Sequence, residues 1–277
     1  ECLFSFNTQN IGKVVNIIWP DKKINPIYNE DLYISFKYGN KDGVWKLENF
    51  TTKYGENTVG TGTVNVKTVE KRKVADAVFK MNKIDLDIFK NIANDYINDF
   101  ESEDKNSFDD LSKYGFILNI NADSAFYNEA ESKNLILALE LKDALLNVSH
   151  LGLVMPGNTN IKTLGSVDLK TLNYNFNNSL QSEDFRVFAS VFGFDVVKLA
   201  NTENKKSIFK NATADVNIVG NLEQYKVSIP NATFDSTAIK GNIGFIKKEA
   251  QTVVLAVKCA KRNVPRERSR LKTTSQR

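Results

Sequence analysis

The sequence predicts a mainly β chain with a few short helices, its strands joined into a large antiparallel sheet. Three observations carry that prediction. Apolar and polar residues alternate with a period of two from one end of the chain to the other, polar clusters separate the alternating runs, and only two stretches show helical spacing. With 277 residues, 42% of them hydrophobic, and only 5 prolines, the chain has ample material for a folded structure.

The alternation can be followed run by run. Leu32, Ile34, Phe36 and Tyr38 alternate with Tyr33, Ser35 and Lys37, and Trp45 and Leu47 flank Lys46. Ala75, Ala77, Phe79 and Met81 interleave with Asp76, Val78 and Lys80. The pattern is clearest in the centre, where Phe116, Leu118, Ile120 and Ala122 are followed by Leu135, Leu137, Leu139 and Leu141. It returns at Ala212, Ala214, Val216 and Ile218, and again at Val253, Leu255 and Val257. Successive side chains of a strand point to opposite faces, so each run describes a strand with one greasy and one wet side. Asn128 to Lys133 and Gly157 to Asn160 have the composition of turns.

Two segments depart from the pattern. Ile88, Phe89, Ile92, Ala93, Tyr96, Ile97 and Phe100 recur every three or four residues, which predicts a helix capped by Asp85 or Asp87. A second helix is expected to start at an Ser182 cap, with Glu183 and Asp184 in its first turn, and to stop at Gly193. Gly62 to Val66, Gly165 to Leu169 and Gly241 to Phe245 share a glycine, polar, apolar pattern, a faint repeat at unequal intervals that fits recurring hairpin units.

Composition excludes several kinds of chemistry. A single histidine, His150, rules out multi-histidine metal sites, and Cys2 and Cys259 lie too far apart in sequence for a CxxC motif. Gly60 and Gly62 lack the third glycine and the Lys-Ser/Thr of phosphate-binding loops. Ser149 and His150 are neighbours on a predicted strand and point to opposite faces, so they are not expected to act as nucleophile and base. The acids between Glu101 and Asp110 lack the spacing of a calcium loop. No catalytic residue, cofactor or metal site is expected.

The formal charge of +4 is uneven: residues 258–277 carry +7 and the remainder −3. Five of the seven arginines fall in that tail, which is read as a basic, disordered end. An acidic body without a basic stripe gives no electrostatic reason to expect nucleic acid as a partner.

Residues Gly43 to Leu47, Tyr54 to Val66, Ala75 to Met81 and Ile84 to Ile92, together with Asn211 to Val257, resemble the AsmA-like proteins of bacterial envelopes. The likeness runs over about residues 40–257. It implies a long, twisted antiparallel sheet curled into a groove over residues 1–257, with sub-units of about 1–110 and 111–257. It also implies a non-catalytic role in the periplasm, in lipid transport or outer-membrane homeostasis. The implied partner is a phospholipid or other acyl-chain lipid, and the implied membrane contact is an N-terminal inner-membrane anchor preceding these residues. Each methylene exposed to water costs ~0.8 kcal/mol, so a chain of about fourteen carbons gains on the order of 10 kcal/mol from a covered apolar trough. The expected lining is Phe116, Leu118, Ile120, Leu135, Leu137, Leu139 and Leu141. The alternatives are that this face packs against the two helices as an ordinary core, in a structural or protein-interaction β-domain without lipid cargo, or that an enzyme uses paired carboxylates.

Overall fold

The computed structural model describes residues 2–18, 30–88, 90–91, 94, 112–199, 208–246 and 253–258. Fourteen strands form one sheet in which every strand pairs with its neighbours in sequence, and the sheet is not closed into a barrel. They are β1 (Cys2–Thr8), β2 (Leu32–Lys41), β3 (Val44–Tyr54), β4 (Thr58–Val69), β5 (Arg72–Asp85), β6 (Tyr114–Tyr127) and β7 (Ala130–Lys142). The second half holds β8 (Leu145–Met155), β9 (Thr159–Asp168), β10 (Tyr174–Ser182), β11 (Ala212–Gly220), β12 (Gln224–Phe234), β13 (Thr237–Ile246) and β14 (Val253–Lys258). Among the described residues, short helices accompany them: α1 (Ile11–Ile18), α2 (Phe185–Val191) and α3 (Val196–Leu199). The predicted class, a mainly β chain with a large curled sheet, is the one observed.

One pairing departs from the antiparallel expectation. β5 and β6 run parallel, with Ala75 opposite Phe116 and Phe79 opposite Ile120. Parallel neighbours require the chain to return to the starting end of the sheet, and residues 86–113 make that crossover. Its first described residues are helical from Leu86 to Ile88, with Asp85 Oδ1 accepting the Asp87 N–H at 2.9 Å, so Asp85 is the cap. The rest of the predicted helix towards Phe100 lies largely outside the described residues. The ladder passes without interruption through this crossover, so one sheet spans both proposed sub-units.

Several hairpins are closed by two residues that both have positive φ: Asp42-Gly43, Glu70-Lys71, Asn128-Glu129 and Asp143-Ala144. Such left-handed pairs match the twist of the flanking strands, and they suit Asn, Asp and Gly. Glu129 has φ 65° and gains nothing from its side chain's conformational preference there. Glu129→Gly, which turns the pair into Asn-Gly, should therefore raise unfolding stability by about 1 kcal/mol, measured as a shift in urea midpoint at unchanged slope.

Bulges bend the strands and also keep their greasy side in phase. In β3 the register slips between Leu47 and Phe50, with Asn49 at φ 53°, and in β8 it slips between Val148 and Leu151. Apolar residues three apart in sequence would otherwise face opposite ways; the extra residue returns both to one side.

Helix α2 begins two residues later than expected. Asp184, not Ser182, is the cap: its Oδ1 accepts the Arg186 N–H at 3.2 Å. Ser182 is the last residue of β10, buried, with its hydroxyl 2.6 Å from Thr159 Oγ1. The strand continues to Ser182 because that hydroxyl already has a partner inside the sheet. The helix ends at Phe192, followed by Gly193 at φ 77°, as the glycine predicts.

Arg186 also grips its own cap, Nε to Oδ1 at 2.8 Å and Nη2 to Oδ2 at 2.6 Å. That bond holds the Asp184 carboxyl below the ordinary value of 3.8. A lowered carboxyl contributes stability that is present above the ordinary value and is lost as pH falls through the lowered one. The destabilisation caused by Asp184→Asn should therefore be visible in thermal midpoints at pH 6 and shrink progressively below pH 3.8.

Candidate functional site: the apolar face

Cross-strand partners share a face, so the register can be read across the sheet as rows. One row crosses all fourteen strands: Cys2, Tyr38, Leu47, Val64, Ala77, Leu118, Leu139, Val148, Gly165, Phe176, Ile218, Val227, Ile243 and Leu255. No position in it is charged, and its only polar side-chain atoms are the Tyr38 hydroxyl and the Cys2 thiol. On the opposite face the row from Lys46 runs through Asn65, Asp76, Ile117, Glu140, Asn147, Ser166, Asn175 and Val219 to Lys226. At about 4.8 Å per strand, fourteen strands amount to an apolar band about 60 Å long, measured along the sheet.

The seven residues predicted to line a groove all belong to this face. Phe116 pairs with Leu141, Leu118 with Leu139, Ile120 with Leu137, and Leu135 with Ala122. They differ in what covers them. Leu135 is 1% exposed and Ile120 is buried, both inside a cluster with Met81, Ile84, Ala122, Ala125, Leu153 and Met155. Phe188 and Val191 of α2 and Leu86 of the crossover pack against that cluster. These contacts cover much of this end of the face, although Met81, Ile84 and Ile120 of the cluster also border a cavity. Leu141 is buried near the other end, while Phe116, Leu118, Leu137 and Leu139 are half-buried.

Between β3 and β6 the face opens into a cavity of about 460 Å³. Phe50, Phe79, Met81, Ile84, Leu118 and Ile120 of the sheet line it together with Ile11 of α1 and Ile88 of the crossover, and Thr52, Tyr54, Thr58 and Asp85 complete the lining. The volume lies within the roughly 300–1,000 Å³ range of small-molecule sites. An aromatic ladder leads into it: Phe4 stacks on Phe36 at 4.9 Å, Phe36 on Phe50 at 5.8 Å, and Phe50 meets Phe79 edge-on at 5.5 Å. Gly62 lies directly beneath the Phe79 ring, and a Cβ there would collide with it. Gly165 makes the same accommodation for Phe176, so two of the glycines of the faint repeat serve as floor for a phenylalanine.

The opposite face has a polar depression of about 530 Å³ lined by His150, Lys162, Asn177, Ser179, Asp215 and Asn217. The Ser149 hydroxyl donates to the Ala138 carbonyl at 3.2 Å, so it bonds to backbone and not to His150. Among the described residues no helix is long and apolar enough to cross a membrane.

No family model, curated protein or solved structure matches the chain.

The sequence reading missed Phe50 as part of this surface. Its apolar neighbour Leu47 is three residues away, which breaks the alternation on paper, and Asn49 is the only signal of the bulge that restores it. Helix α1 was also unforeseen, because Ile11–Ile18 is rich in β-branched residues and lacks acids in its first turn.

Proposed function

We propose that this chain is a non-catalytic, AsmA-like protein of the bacterial envelope that shelters lipid acyl chains on the apolar face of its curled sheet. The observation that supports this most is the uncharged row crossing all fourteen strands without a second sheet over it among the described residues. A sheet normally buries its greasy side against another layer. Here α2 and the crossover cover one end, and elsewhere the lining is only half-buried. Hydrocarbon is the occupant that gains most from such a surface, because burial of each methylene recovers ~0.8 kcal/mol without any directional partner. The place of action under this reading is the periplasm, with the inner membrane as lipid source.

Native mass spectrometry of the chain purified from bacterial membranes tests the proposal. Phospholipid adducts that survive gentle desolvation are expected. A protein that never carries phospholipid or detergent overturns it.

A further inference from the structure

The two ends of the apolar face differ in kind. At one end Phe188, Val191 and Leu86 pack on the cluster around Leu135 and Met155, the Ser132 hydroxyl donates to the Met155 sulfur at 3.1 Å, and the tyrosines present there, Tyr54 and Tyr127, are half-buried. At the other end, five strands place aromatic side chains with a polar tip on the face, Tyr38, Trp45, Tyr114, Tyr174 and Tyr225, with aliphatic residues such as Val66, Leu141 and Val167 between them. They come from β2, β3, β6, β10 and β12. Tyr38, Trp45, Tyr114 and Tyr225 are 38–51% exposed, and Tyr38 and Trp45 stack with ring centroids 5.8 Å apart. Tyrosine and tryptophan settle where hydrocarbon meets water, because the ring prefers one and the O–H or N–H the other.

The distance between the two ends also suits one molecule. From Phe116 to Ala122 the strand advances six residues, about 20 Å. One leaflet of a bilayer contributes about half of a ~30 Å hydrocarbon core, so an acyl chain of ordinary membrane length fits along the strands between the rim and the α2 end. The turns beyond the aromatic rim carry both signs close together: Lys41 and Asp42, Glu70 and Lys71, Lys142 and Asp143, Asp168 and Lys170, with Arg72 ion-paired to both Glu70 and Asp143. That mixture suits a head group with both charges better than a purely anionic one.

From this asymmetry we infer that lipids lie along the strands in one orientation, acyl tails towards the α2 end and a zwitterionic head group at the Tyr/Trp rim. This rests on the lipid-sheltering reading and adds the direction and head-group class. Trp45 is one of two tryptophans, so Trp19→Phe leaves a single reporter at the rim. The full chain is loaded from vesicles of phosphatidylcholine brominated at carbons 6 and 7 or at carbons 11 and 12, the vesicles are removed, and bound lipid is quantified in the same samples. Bromine near the head group should quench Trp45 at least twofold more strongly than bromine deep in the chain, at equal lipid content.

Equal quenching, the reverse order, or bound lipid without quenching overturns the orientation and leaves sheltering intact. No bound lipid overturns both. The difference between wild type and Trp45→Phe gives the same readout if Trp19→Phe does not fold.

Discussion

Leu139→Asp should abolish lipid retention while leaving the fold intact, and Leu118→Asp should abolish it at a cost in stability, because Leu118 also packs against the cluster around Leu135. Leu118 and Leu139 face each other in the middle of the uncharged row, and both are half-buried. A carboxylate there keeps contact with water from the open side, so the free protein tolerates it. An acyl chain laid over it would strip that water away, and burying an unpaired charge costs several kcal/mol. Retention should fall by at least tenfold, measured as lipid per protein after purification. Ile136→Asp is the matched control. Ile136 neighbours both positions on the same strand pair but lies on the opposite face, 48% exposed, and its replacement should leave lipid content unchanged. Equal loss from all three variants would mean that the apolar row has no special part in binding.

Leu135→Ala should act in the opposite manner, lowering stability far more than it lowers lipid content. Leu135 is 1% exposed within the cluster at the α2 end of the face. Truncating a fully buried leucine removes the transfer free energy of its methyl groups and leaves a cavity, together about 2–5 kcal/mol. The urea midpoint is the appropriate measurement, with the slope checked for a change in cooperativity. A loss below about 1 kcal/mol would show that the α2 end is loosely packed and belongs to the open surface after all.

The sheet was legible in the sequence because alternation is a local signal that pleating converts directly into faces. Phe116, Leu118, Ile120, Leu135, Leu137, Leu139 and Leu141 fall on one side for that reason alone. Whether such residues are covered depends on elements far away in sequence. The cluster that holds Leu135 is packed by α2, some fifty residues downstream, and no pattern within β7 announces it. The parallel pairing of β5 with β6 was equally hidden, since an alternating strand reads the same in either direction. Ser182 has the side chain of a cap, yet its hydroxyl is used by Thr159 across the ladder, which leaves the role to Asp184. The aromatic rim was invisible for the same kind of reason. Tyr38, Trp45, Tyr114, Tyr174 and Tyr225 are scattered through the chain, and only the register brings them to one end.

Among the described residues each strand pairs only with those that precede and follow it in the chain. A structure wired in this manner is extensible: excising the β12–β13 hairpin or inserting another pair would change its span by about 10 Å without disturbing strands elsewhere. Reach becomes a quantity that duplication and deletion of hairpins can adjust in even steps, so relatives of very different size could share one mode of operation.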